Sequence, residues 1–212
     1  MKFPILASCI IFLLWLSFML KRATRKKEKI EAAFWEREAK ANATRKQSLE
    51  DLNYILVPFE SLPFDTLNEN SDVQECHRLI KSFADKKTVN FTGLSNTDLK
   101  LKYGAPNIQL LTLYDHNFTQ LARTLHDWAS LLDKNSFKDD AEKVWEYAVS
   151  IGSDISATYK GLSSIYVSKG EYTSLHTLRE TAEKLNSLMK KTILQDLDEK
   201  LSHEESHSES YQ

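Results

Sequence analysis

The chain has 212 residues, 42% hydrophobic and 27% charged, with five Gly, four Pro, two Cys and a net charge of −2. That length holds one domain plus accessory segments, the low Gly and Pro content favours helix over sheet, and two cysteines exclude a disulfide framework. Charge is unevenly spread. Residues 21–50 carry ten Lys or Arg against five Asp or Glu, whereas the rest of the chain beyond them is net acidic, which argues against nucleic-acid binding.

The first predicted element is Phe3–Leu20, FPILASCIIFLLWLSFML, a run without a charged residue. As a helix it rises ~27 Å, close to the ~30 Å of a bilayer's hydrocarbon core, so a transmembrane anchor is expected over residues 1–22. A cleaved signal peptide fits less well. Only Lys2 precedes the run, and it exits at Met19-Leu20-Lys21-Arg22 without a small-residue site. Leu6-Ala7-Ser8-Cys9 imitates a lipoprotein box but stands at the start of the apolar run, where such a box should follow it.

Lys21, Arg22, Arg25, Lys26, Lys27 and Lys29 follow at once. Basic flanks stay on the cytoplasmic side, so a single-pass protein of the cell membrane is expected, with its C-terminal domain in the cytoplasm. The same six residues are candidates for contact with anionic headgroups.

Residues 23–52 are rich in Ala, Glu, Lys and Arg, and predict a basic helical stalk running to about Leu52. Ile30 and Phe34 are four apart, but no heptad pattern is sustained, which favours a solvated stalk over a coiled coil. A divergent region, 53–121, comes next. It opens with an apolar stretch, Leu52–Leu67, that Pro58 and Pro63 keep from forming one helix. This stretch is expected to pack onto the domain's own helices.

Ser71-Asp72 predict a helix start, with an apolar face continuing to about Lys86. Ser95-Asn96-Thr97-Asp98 predict a capping box on a short helix that Gly104 stops. Pro106 predicts the start of a helix over Asn107–Tyr114, and Asn117 the cap of another. Asn42-Ala43-Thr44, Asn90-Phe91-Thr92 and Asn117-Phe118-Thr119 match the glycosylation triplet, which a cytoplasmic domain would not use.

From Ala122 the chain repeats at a spacing of 34. Leu125 falls on Tyr159, Trp128 on Leu162, Ala129 on Ser163, Leu132 on Tyr166, Ala141 on Leu175 and Ala148 on Ala182. Small residues at these offsets let helices approach, and Trp128, Trp145, Tyr166 and Tyr172 fill between them. Two antiparallel helices per unit follow, broken near Asn135-Ser136 and Lys169-Gly170.

This pattern resembles the tetratricopeptide repeat, best in YKGLSSIYVSKGEYTSLHTLRETA. The resemblance covers about 122–185. It departs from the family at Leu175 and Arg179, and the first unit lacks the turn glycine. It implies an all-α repeat domain over 122–201, with 186–201 as the closing helix and 202–212 as a disordered acidic tail.

In that family the first helix of each unit lines a groove for a peptide or a partner helix. By position the groove would comprise Arg123, His126, Asp127, Ser130, Asp133, Lys160, Ser164 and Val167. A clamp for a C-terminal carboxylate is not implied, since His126, Ser130 and Gly161 stand at its positions.

No phosphate loop, metal-ligand spacing or nucleophile motif occurs, so no catalytic, cofactor or metal residue is assigned and the chain is expected not to be an enzyme. His203 and His207, four apart, lie in the acidic tail. The function expected is a membrane-anchored scaffold or adaptor for a protein partner. The alternatives are a self-assembling structural component of the membrane and an enzyme without a readable motif.

Overall fold

The computed structural model describes residues 3–209, with side chains described for 8 and 10–202. Among the described residues the chain is all helical and has no strand. The α-helices are α1 (Phe3–Asn42), α2 (Ser71–Lys81), α3 (Asn96–Tyr103), α4 (Ile108–Lys134), α5 (Lys138–Ser150), α6 (Ser156–Lys169), α7 (Tyr172–Glu183) and α8 (Lys190–Glu209). They divide into two compact units, Met1–Ser48 with Ser95–Ile108, and Leu49–Leu94 with Gln109–Gln212.

In the first unit, the last turns of α1 pack against α3, burying Ala41 and Leu99. Arg37 pairs with Asp98 at 2.5 Å, and Glu38 with Lys100 at 3.5 Å. Thr97 donates to the Glu38 carboxylate, and this bond is the largest cause of that group's lowered pKa. The predicted capping box is present on α3, with Ser95 and Asp98 in reciprocal bonds.

Helix α1 ends at Asn42, short of the expected end near Leu52. The backbone beyond it bonds elsewhere: Gln47 N donates to Tyr103 O at 3.0 Å, and Ala105 N to Thr44 O at 3.1 Å. Gly104, at φ +92°, lets the Arg45 carbonyl come so close that a Cβ there would overlap it. Tertiary hydrogen bonds thus replace the helical ladder that composition favours.

Among the described residues no helix is long and apolar enough to cross a membrane. The expected span over Phe3–Leu20 falls only partly within the described side chains. Those of residues 3–7 and 9 lie outside them, and the described continuous part, Ile10–Leu20, is exposed.

In the second unit, α2 starts one residue earlier than expected. Asn70 is its cap, accepting from Asp72 N at 2.9 Å and Val73 N at 3.2 Å. The helix stops at Lys81, short of Lys86. Ser82, Phe83, Ala84 and Lys86 continue as turns, closed by i→i−3 backbone bonds in place of the α-helical ladder.

The Pro-interrupted stretch Leu52–Leu67 lies on the domain's own helices, as expected. Leu62 is buried, and Phe64 stacks on Trp128 with ring centres 5.0 Å apart. Thr66 Oγ1 donates to Asp140 Oδ2 at 2.7 Å, and Tyr147 OH to Leu56 O at 3.2 Å, so the stretch is fastened along α5.

Helix α4 is continuous where the sequence reading starts a new helix at Asn117. Asn117 is buried and donates from Nδ2 to Lys87 O at 2.9 Å. Its side chain ties down a loop instead of capping a helix.

All the residues paired by the 34-residue spacing are buried. The breaks fall where expected, at Asn135-Ser136, with Ser136 at φ 70°, and at Gly170, φ 72°. Helix α8 closes the core through Ile193, Leu197 and Leu201. It continues to Glu209, so the 202–212 tail is helical over most of its length where disorder is expected; residues 210–212 lie outside the described ones. A run of Glu, Ser and His without Gly or Pro leaves nothing to stop the helix.

Candidate functional site

The strongest candidate is the face built by α4 and α6, where the sequence places the groove. Leu121, Leu125, Trp128 and Leu132 point into the core and fix the rotation of α4. That rotation leaves Arg123 and Asp127 exposed on the opposite side. On α6, Tyr159, Leu162, Ser163 and Tyr166 are buried, which leaves Lys160, Ser164 and Val167 exposed.

His126 joins the two helices. Its Nδ1 lies 3.1 Å from Thr158 Oγ1 of α6, and its Nε2 3.4 Å from Ser130 Oγ. The ring stacks on Trp145 of α5, 6.4 Å between centres. Burial lowers the His126 pKa, against the opposing pull of Asp127, so neutral imidazole is favoured. Of the predicted groove residues, His126 and Ser130 are therefore half-buried parts of a helix joint. Asp133 is half-buried as well.

Helix α8 extends the same layer. Lys200 Nζ donates to Lys160 O at 3.1 Å, Ser163 Oγ at 2.5 Å and Ser164 Oγ at 3.0 Å. Burial lowers its pKa, and Asp196, 3.5 Å away, works against that. Lys200 contacts α6 beside the predicted residues Lys160 and Ser164, and sequence reasoning missed it. The signal was present: residues 186–201 were read as a closing helix, but not as one that sends a cation onto α6.

The predicted side chains exposed on α4 and α6 are thus the cations Arg123 and Lys160, the acid Asp127, the hydroxyl of Ser164 and the apolar Val167. They include no activated nucleophile and no paired acid and base. Among the described residues, no group of three His, Cys, Asp or Glu is placed to hold a metal ion.

Comparison with family models, with curated proteins and with solved structures finds no match.

A concavity of about 510 Å³ lies among Tyr54, Asn90, Thr92, Gly152, Lys184 and Asn186. Asn90 builds its wall: Nδ2 donates to Ile151 O and Gly152 O, and Oδ1 accepts from Thr92 N. Sequence reasoning singled out Asn90 only as part of a glycosylation triplet, and Asn117 as a triplet and a helix cap. The amide of Asn90 is consumed by these bonds and Asn117 is buried, so neither is open to modification in the folded chain.

Cys76 is buried, and burial, with the nearby Asp127, Asp72 and Glu75, pushes its thiol up to about 11. A buried thiol held in its neutral form is packing and not a nucleophile.

Proposed function

We propose that this chain is a membrane-attached adaptor whose α4–α6 face holds a protein partner. The observation that carries the reading is the His126–Thr158 contact. It joins α4 to the first turn of α6, and Arg123 and Asp127 on the one helix and Lys160, Ser164 and Val167 on the other are exposed. The tetratricopeptide-like spacing and the burial of every residue it pairs support a two-unit helical repeat with α8 as its closing helix. An extended peptide or an exposed helix suits such a mixed polar face.

Attachment is assigned to the uncharged run Phe3–Leu20, carried on the continuous helix α1, and the basic flank puts the domain on the cytoplasmic side. Tethering raises the local concentration of the held partner. The test is a pull-down with the detergent-solubilised full chain. A partner lost on Arg123→Glu or Lys160→Glu, with the fold intact, supports the face; recovery unaffected by both rejects it.

A second reading is self-assembly. It draws on Ile30 and Phe34, exposed on the side of α1 that Arg37 and Ala41 continue. A stable oligomer of the solubilised chain in light scattering, without any partner, would favour it.

A further inference from the structure

The six cations after the apolar run are not spread evenly around α1. At 100° per residue, Lys21, Arg22, Arg25, Lys26 and Lys29 fall within a sector of roughly 140°. Phe18 lies in the same sector on the apolar side, and Ala32 and Ala33 continue it. Glu28 and Glu31 fall outside it. Lys27 also stands off the stripe and pairs with Glu31 at 3.7 Å. All five stripe residues are exposed.

Distance along the helix matters as much as direction. Lys29 stands ~13 Å beyond Leu20, whereas the headgroup layer on each side of a bilayer is only about 5–8 Å thick. An upright helix would lift the far end of the stripe clear of the phosphates. A helix leaning toward its basic side brings all five cations onto them, and tilts up to ~40° are ordinary for membrane helices.

We infer that Lys21, Arg22, Arg25, Lys26 and Lys29 form a one-sided seat for the phosphates of anionic lipids, and that α1 leans onto the bilayer surface along it. The inference rests on the membrane attachment proposed above. A lipid surface suits the stripe better than an acidic protein segment, because the stripe begins at the residue after Leu20 and shares its face with Phe18.

The test uses the full chain with Cys9→Ser and Cys76→Ala, and one fluorophore on either Ala32→Cys, on the stripe side, or Glu31→Cys, off it. These adjacent positions differ by ~1.5 Å along the axis, so depth alone does not separate them. The protein is mixed with phosphatidylcholine vesicles carrying a headgroup quencher, with or without phosphatidylglycerol at about three parts in ten. Flotation with neutral vesicles reads the attachment itself.

The expected result is flotation with both vesicles, and quenching at residue 32 but not at 31 when phosphatidylglycerol is present. That difference disappears in ~1 M salt, where screening is short-ranged, or on Arg22→Gln with Arg25→Gln and Lys29→Gln. Flotation with equal quenching at both positions overturns the leaning seat and leaves attachment standing. Flotation with anionic vesicles only, with the same asymmetry, supports the seat and rejects the apolar anchor. No flotation with either overturns both.

Discussion

The indole of Trp145 rests against the bare Cα of Gly161. A Cβ built on Gly161 would overlap the far edge of that ring, and the ring is buried with nowhere to move. Glycine in a helix ordinarily costs ~1 kcal/mol relative to alanine, so Gly161→Ala in an open helix would stabilise. Here overpacking costs ~1–3 kcal/mol and wins. Gly161→Ala is expected to lower the urea midpoint, whereas Ser168→Ala, on the exposed side of the same helix, should leave it unchanged or raise it. A stabilised Gly161→Ala would show that α5 and α6 do not meet through Trp145.

His77 packs edge-on against both Phe64 and Trp128, with ring centres at 5.0 and 4.8 Å, and its buried Nε2 has no hydrogen-bond partner among the described residues. Burial lowers its pKa, Lys81 adds to this, and Asp65 opposes it. The unfolded chain then binds this proton more readily than the folded one. Stability is full above the ordinary histidine value of 6.5 and falls as pH drops below it toward the folded pKa. His126, lowered by burial as well, adds in the same direction. Chemical denaturation between pH 7.5 and pH 5, a span of about that window, should show the loss, and His77→Leu should reduce the slope. A slope that the substitution does not change would contradict the assignment.

Lys200→Met removes the cation that α8 places on Lys160 O, Ser163 and Ser164 while keeping the aliphatic stem. The cost should be ~1 kcal/mol, because Ser163 alone of the partners left behind is buried. Ile193, Leu197 and Leu201 still anchor α8, so amide exchange should show the helix retained but opening more readily. Unprotected amides throughout α8 would mean that Lys200, and not the apolar seam, holds the helix.

Cys76 should not react with a thiol reagent in the native chain near pH 8, and should react once denaturant is added. Topology therefore needs an exposed reporter such as Lys191→Cys. Native labelling of Cys76 would show that α2 does not turn this face onto the core.

Much of the second unit was legible because packing repeats write themselves into spacing. Trp128 over Leu162 and Ala129 over Ser163 mark helix faces, and the turns at Ser136 and Gly170 follow from them. The capping box at Ser95 and Asp98 was legible for the same local reason. What escaped depends on partners distant in sequence. Asn117 looks like a cap until Lys87 O is placed beside it. The end of α1 at Asn42 depends on hydrogen bonds to Tyr103 and Ala105. His126 reads as an open groove contact until Thr158 and Trp145 close around it. The one-sidedness of the basic stripe needs only helix geometry, but it gains meaning once α1 is known to run unbroken through Lys29.

The most direct test of the adaptor reading is site-specific photo-crosslinking in native membranes. A crosslinker replaces Arg123 on α4, Lys160 on α6, or Thr177 on the exposed side of α7. The account predicts one discrete adduct with another protein from residues 123 and 160, none from 177, and loss of the residue-160 adduct when Asp127→Lys is added. Equal adducts from all three positions, or none from 123 and 160, would contradict it.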